Sequence, residues 1–151
     1  LEFRRVLFRS KAKGTIDSES LSCKVETGRA LAVAGLHPAT GGSGLELCSG
    51  DMLLEALVAC AGVTLKSVAT AVEVPLRVGN VFAEGDLDFR GTLGVDKEAP
   101  VGFREIRLRF DVGTDAPQDK LDLLLKLTER YCVVYQTIKN GPKVSVSMVR
   151  V

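Results

Sequence analysis

The chain has 151 residues, enough for one domain with its own core and too few for two. Its 20 basic and 19 acidic side chains leave a formal net charge of +1, which argues against nucleic acid or a membrane surface as the main partner. Four cysteines, Cys23, Cys48, Cys60 and Cys132, form no C-x-x-C pair, so the spacing writes neither a zinc site nor a disulfide scaffold and points to thiols kept reduced in the cytoplasm.

The opening "LEFRRVLFRS", residues 1–10, is Arg-rich with no apolar run behind it, so no signal peptide is expected there. It has the look of a translated sequencing-adapter tail, and the single domain is expected over residues 11–151. Leu21, Cys23 and Val25 alternate with Ser20, Ser22 and Lys24 as in a strand. After the turn at Thr27-Gly28, "RALAVAGL" supplies a hairpin partner. Arg29 there shares parity with Leu31 and Val33, and faces inward if they do. "HPATGGSG" is a loop by its Pro and Gly content.

Asp51 is expected to N-cap a helix running to about residue 72. Asp51, Glu55, Lys66 and Glu73 fall on one side of it, with Leu53, Leu57, Cys60, Thr64 and Ser67 on the other, which turns Cys60 to the interior. The longest apolar run, residues 56–65, is about half of a ~20-residue membrane span. Pro75 is expected to end the helix. "DLDFRG" and "EIRLRFDV" alternate as strands, the second with Ile106, Leu108, Phe110 and Val112 against Arg107, Arg109 and Asp111. One wet face suits antiparallel pairing. Beyond Pro117, Leu121, Leu124, Leu125, Thr128 and Cys132 have helical spacing, with a helix junction at Cys132 and a stop at "NGP". "KVSVSMVRV" supplies a last strand. Strands around two helices without a βαβ rhythm give an α+β fold.

On residue type alone Cys60 is either a small core filler or a nucleophile. Cys132, near a helix N-terminus, is expected to have a lowered pKa. Cys23 and Cys48 are taken as structural. His37, the sole histidine, sits beside Pro38 in an exposed loop without metal partners at ligand spacing, and its isolation argues against a Cys-His hydrolase. "GGSG" at 41–44 fits the G-x-x-G of a KH nucleic-acid binder, but it carries no Lys or Arg and follows a strand.

"DMLLEALVACAGVTL" together with "LTERYCVVYQTI" resembles the OsmC/Ohr family, the osmotically inducible protein C and organic hydroperoxide resistance proteins, over residues 11–151. The resemblance implies an OsmC-like fold, with antiparallel sheet strands wrapped around two central helices in an intertwined homodimer. It implies a thiol-dependent peroxidase for organic hydroperoxides, with Cys60 peroxidatic and Cys132 resolving. The resulting disulfide would be reduced by a dithiol such as a dihydrolipoyl group, with no metal or organic cofactor. Arg29 matches the family's thiol-activating Arg. Asp51 is the nearest equivalent of the Glu that braces it, one carbon shorter. The alternative is a non-catalytic small-ligand-binding protein of the same fold, with Cys60 inert.

Overall fold

The computed structural model describes residues 13–16, 22–26 and 31–150, in two compact units that meet in sequence between Met52 and Leu53. In the first, β1 (Lys13–Ile16), β2 (Ser22–Glu26), β3 (Leu31–Gly35) and β4 (Leu47–Cys48) form one sheet in that order. The expected hairpin is present, with Cys23 opposite Ala34 and Val25 opposite Ala32. Antiparallel pairing does not extend to the whole sheet: β4 runs parallel to β3, because the long 36–46 connection lets the chain return in the same direction. Arg29 and its parity lie outside the described residues.

The loop after β3 contains a 3-10 turn, Pro38–Thr40, capped by His37, whose Nδ1 accepts the Ala39 N–H at 3.1 Å. That bond makes His37 a capping residue, only half-exposed. The glycines of "GGSG" answer to backbone geometry: Gly41 has φ +95°, and a Cβ on Gly42 would stand 1.7 Å from the Leu36 carbonyl oxygen. They serve a turn, and among the described residues a short 3-10 turn precedes them where a KH loop requires an α-helix.

The first helix, α1 (Ser49–Ala71), begins two residues before Asp51. Asp51 is therefore in the first turn and is not the N-cap; its charge there complements the positive end of the helix. The buried stripe is Leu57, Ala61, Leu65, Val68 and Ala69. It lies between the charged side and the side expected to be interior, roughly 100° round from Cys60. Cys60 is half-buried, and Leu53 and Ser67 are exposed. The reason is one-sided cover: Leu65, Val68 and Ala69 pack with Val74 and Leu124 against Phe110, Val112, Leu121 and Leu127. On the opposite flank Val63 is 70% exposed.

Pro75 does not stop α1. The Val74 N–H donates to the Ala69 carbonyl at 2.8 Å and Glu73 N–H to Thr70 at 3.3 Å, with Glu73 at φ +57°. This is a Schellman closure, and buried Val74 packing on Ala69 supplies its customary hydrophobic contact.

The second unit holds β5 (Val78–Asp86), the short α2 (Phe89–Thr92), β6 (Glu105–Gly113), α3 (Gln118–Tyr131) and α4 (Val133–Asn140). β5 and β6 pair antiparallel, with Gly85 opposite Ile106, and β6 shows the expected alternation of half-buried and exposed residues. "DLDFRG" is not a strand. Only Asp86 belongs to β5; Asp88 then caps α2 by accepting the Arg90 N–H at 3.1 Å, a local bond that competes with extended backbone. Nor does "KVSVSMVRV" form a strand: among the described residues nothing pairs with it. Its Val144, Val146, Met148 and Val149 are exposed, Met148 by 98%. Alternation makes a segment fit to be a strand, but a ladder needs a neighbour.

Candidate active site

Cys60 and Cys132 are brought together by α1 and the break between α3 and α4. α3 ends at Tyr131, Cys132 is extended at φ −72°, ψ 108°, and α4 starts at Val133. Cys132 is thus the N-cap of α4, without its side chain making a cap bond to the helix backbone. The first N–H groups of a helix have no partner within it. Those of Val133 and Val134 face the Cys60 sulfur and favour its charged form, as does the Cys132 thiol. Both sulfurs are free thiols, as is Cys48.

The two thiols are pushed in opposite directions. Partial burial raises Cys60, but the Val134 N–H, the Cys132 thiol, the Val133 N–H and the Thr64 hydroxyl together outweigh it and hold Cys60 below the ordinary thiol range. Thr64 contributes least, since its hydroxyl proton is already given to the Cys60 carbonyl at 2.7 Å. Cys132 moves up: burial is the main cause, and the hydrogen bond and negative charge of Cys60 add to it against the Tyr135 and Val134 N–H groups. The lowered pKa expected at Cys132 is therefore found at Cys60. A helix N-terminus favours whichever sulfur its free amides reach, and Cys132, 1% exposed, is poorly placed to carry a charge. The pair is thus asymmetric, with Cys60 the more readily ionised of the two thiols.

A family profile described as OsmC-like protein matches residues 41–147, a span that includes both cysteines. The chain belongs to the OsmC-like protein family. Solved structures agree on the fold of this OsmC-like protein. An OsmC-like protein from Mycoplasma pneumoniae is 16% identical with a TM-score of 0.72, covering 89% of each chain. An organic hydroperoxide resistance protein OsmC from Legionella pneumophila is 16% identical at 0.69, covering 91% of this chain and 93% of its own. An organic hydroperoxide resistance protein from Elizabethkingia anophelis, 14% identical, has the same TM-score and coverage. No curated protein matches the chain.

In this OsmC-like protein Arg29 lies outside the described residues. Asp51 is exposed, nine residues before Cys60 on the same helix, about 13 Å along its axis. Among the described residues no Lys or Arg acts on Cys60. Main-chain donors do that work, and they leave no trace in residue type. Beside the pair, within the second unit, is a cavity of about 780 Å³ lined by apolar side chains including Leu53, Leu57, Phe103, Ile106 and Tyr135, with Arg104, Glu105, Glu129 and Lys139 at its polar positions. Leu53 and Leu57 were legible as apolar helix positions; the part played by the 103–106 stretch was not. Neither sulfur lines the cavity, although Leu57 is one turn from Cys60 and Tyr135 three residues past Cys132.

Proposed function

We propose that this OsmC-like protein is a thiol-dependent peroxidase for organic hydroperoxides. The single observation that carries the reading is the asymmetric thiol pair on the N-terminus of α4. The Cys60 thiolate attacks the terminal peroxide oxygen; an S–O bond forms, the O–O bond breaks, and the alkoxide leaves and takes a proton as the alcohol. Cys60 is then a sulfenic acid. Cys132 gives up its proton and attacks the Cys60 sulfur, forming the S–S bond and expelling hydroxide, which with that proton leaves as water. A dithiol of the dihydrolipoyl kind restores both thiols and is itself oxidised to a disulfide. Two structural neighbours are named organic hydroperoxide resistance proteins, which supports the substrate class. Arg29 is read as the positive charge that lowers Cys60, with Asp51 as its brace through loop geometry or from a partner subunit. The working compartment is the cytoplasm, whose reducing poise keeps such thiols active.

The apolar cavity supplies the substrate approach, since apolar burial contributes about 25 cal/mol per Å². Cumene hydroperoxide is expected to be consumed at least about tenfold faster than hydrogen peroxide, the ratio that about 1.4 kcal/mol of differential burial gives. Each reacted chain is expected to lose two of its four thiols. Equal rates with both peroxides, or no thiol loss, would exclude the proposal.

A homodimer is part of the same proposal. α1 is 23 residues long and contains an 18-residue window of mean hydropathy 1.7, apolar enough by length and composition to cross a membrane, yet only 28% of that window is buried by its own chain. A second copy would cover its open flank and give the unpaired 143–150 segment a neighbour, as dimers with core-like interfaces do. Light scattering at micromolar concentration is expected to give twice 16.2 kDa. A stable monomer would contradict it.

A second reading rests on the fact that neither sulfur lines the cavity. The protein would then hold a small apolar ligand there with Cys60 inert. The same thiol count separates the two, because a binding protein keeps all its thiols.

A further inference from the structure

Cys132 is a hinge point: helix on both sides, and one extended residue between. Whether its sulfur and the α4 amides meet Cys60 depends on the angle at which α4 leaves α3. The last carbonyls of α3 need partners from outside the helix. Thr128 accepts the Cys132 N–H at 3.0 Å, and Glu129 accepts the Gln136 Nε2 at 2.7 Å, seven residues away and across the break. Gln136 is held in turn. Asn140 Nδ2 donates to the Gln136 Oε1 at 2.8 Å and to its carbonyl at 3.1 Å. The chain Asn140 to Gln136 to Glu129 is a side-chain strut that spans the hinge and fixes one helix against the other.

We propose that Gln136 is a positioning residue for the thiol pair, acting through its bond to the Glu129 carbonyl, with Asn140 as its brace. The inference rests on the peroxidase reading for its purpose but not for its test. It deepens that reading by separating two jobs on α4: the first-turn amides hold the Cys60 thiolate, and Gln136 aims them. Gln136 touches neither sulfur and takes no part in bond making. Removing its N–H frees the hinge, so that Cys132 spends less time within reach of Cys60 and the amides less time on the thiolate. The Val133 and Val134 amides and the Cys132 thiol that act on Cys60 all lie at or beyond the hinge, so a change in Cys60 titration reports this geometry.

The test uses the full chain and two variants, Gln136→Leu, which has no N–H, and Gln136→Lys, which keeps one on a longer stem. Iodoacetamide labelling of Cys60 across pH, read by peptide mass, gives its titration midpoint. Closure of the Cys60–Cys132 bond is driven with diamide, which takes up the two electrons and two protons released. Gln136→Leu is expected to raise the midpoint and slow closure on the order of fivefold, the scale of one net hydrogen bond. Gln136→Lys is expected to recover most of both, and Asn140→Ala to show a smaller loss of the same sign. If Gln136→Leu lowers only the melting temperature, with midpoint and closure as in wild type, Gln136 is a structural cap and the proposal fails. It fails too if the Lys variant is as slow as the Leu variant. Wild type that closes with diamide but leaves hydroperoxide untouched sinks the peroxidase reading and leaves the role of Gln136 intact.

Discussion

Cys60→Ser abolishes hydroperoxide turnover and leaves the protein folded. The loss is expected to be at least about a thousandfold, because a hydroxyl offered the same amides stays protonated at neutral pH and is a far weaker nucleophile than a thiolate. Stability is expected to change by less than about 1 kcal/mol, since the serine oxygen accepts from the Val133 and Val134 N–H groups that the sulfur serves now, and no donor is stranded. Peroxide consumption in the presence of dithiol and a thermal melt check the two halves. Wild-type turnover by the variant would make Cys60 a core filler.

Cys132→Ser stops the cycle at a different place. Its hydroxyl can still donate to the Cys60 thiolate, so the first attack survives, but no second thiol is there to close on the sulfenic acid. Without added reductant, one equivalent of cumene hydroperoxide is expected to convert wild type into a Cys60–Cys132 disulfide and the variant into a sulfenic acid at Cys60, trapped by dimedone and read by mass. Excess peroxide then carries the variant on to the irreversible sulfinic acid. Free Cys60 in the variant after treatment, or free Cys60 and Cys132 in wild type, would remove Cys60 as the attacking group.

What could be read from the residues was whatever depends on their pattern. Ile106, Leu108, Phe110 and Val112 announced a half-buried strand because side-chain direction alternates with a period of two, and α1 ends at Ala71, one residue short of the end expected at about residue 72. The joint at Cys132 was visible because the spacing from Leu121 stops there. The errors have a common origin in neighbours. Which flank of α1 is buried depends on where the core cluster around Leu124 lies, so Cys60 turned out to be at the border of the interior. The 143–150 alternation is that of a strand, but pairing is a property of two segments. Asp88 took "DLDFRG" out of the sheet by a bond to the backbone two residues on. At the site, the cysteines were legible and the main-chain groups that lower the Cys60 pKa were not, since an amide is present at every residue except proline.

That last feature bears on how the protein tolerates change. A side-chain activator such as an arginine is deleted by almost any substitution at its position, whereas the Val133 and Val134 amides persist through nearly the whole amino-acid alphabet. Proline alone removes one. At Val133, the first residue of α4, proline fits the helix and leaves the Val134 donor in place; at Val134 it takes away the donor that matters more to Cys60. Sequence drift on α4 is thus buffered at the point of chemistry, and selection there acts on the course of the backbone more than on the letters that follow Cys132.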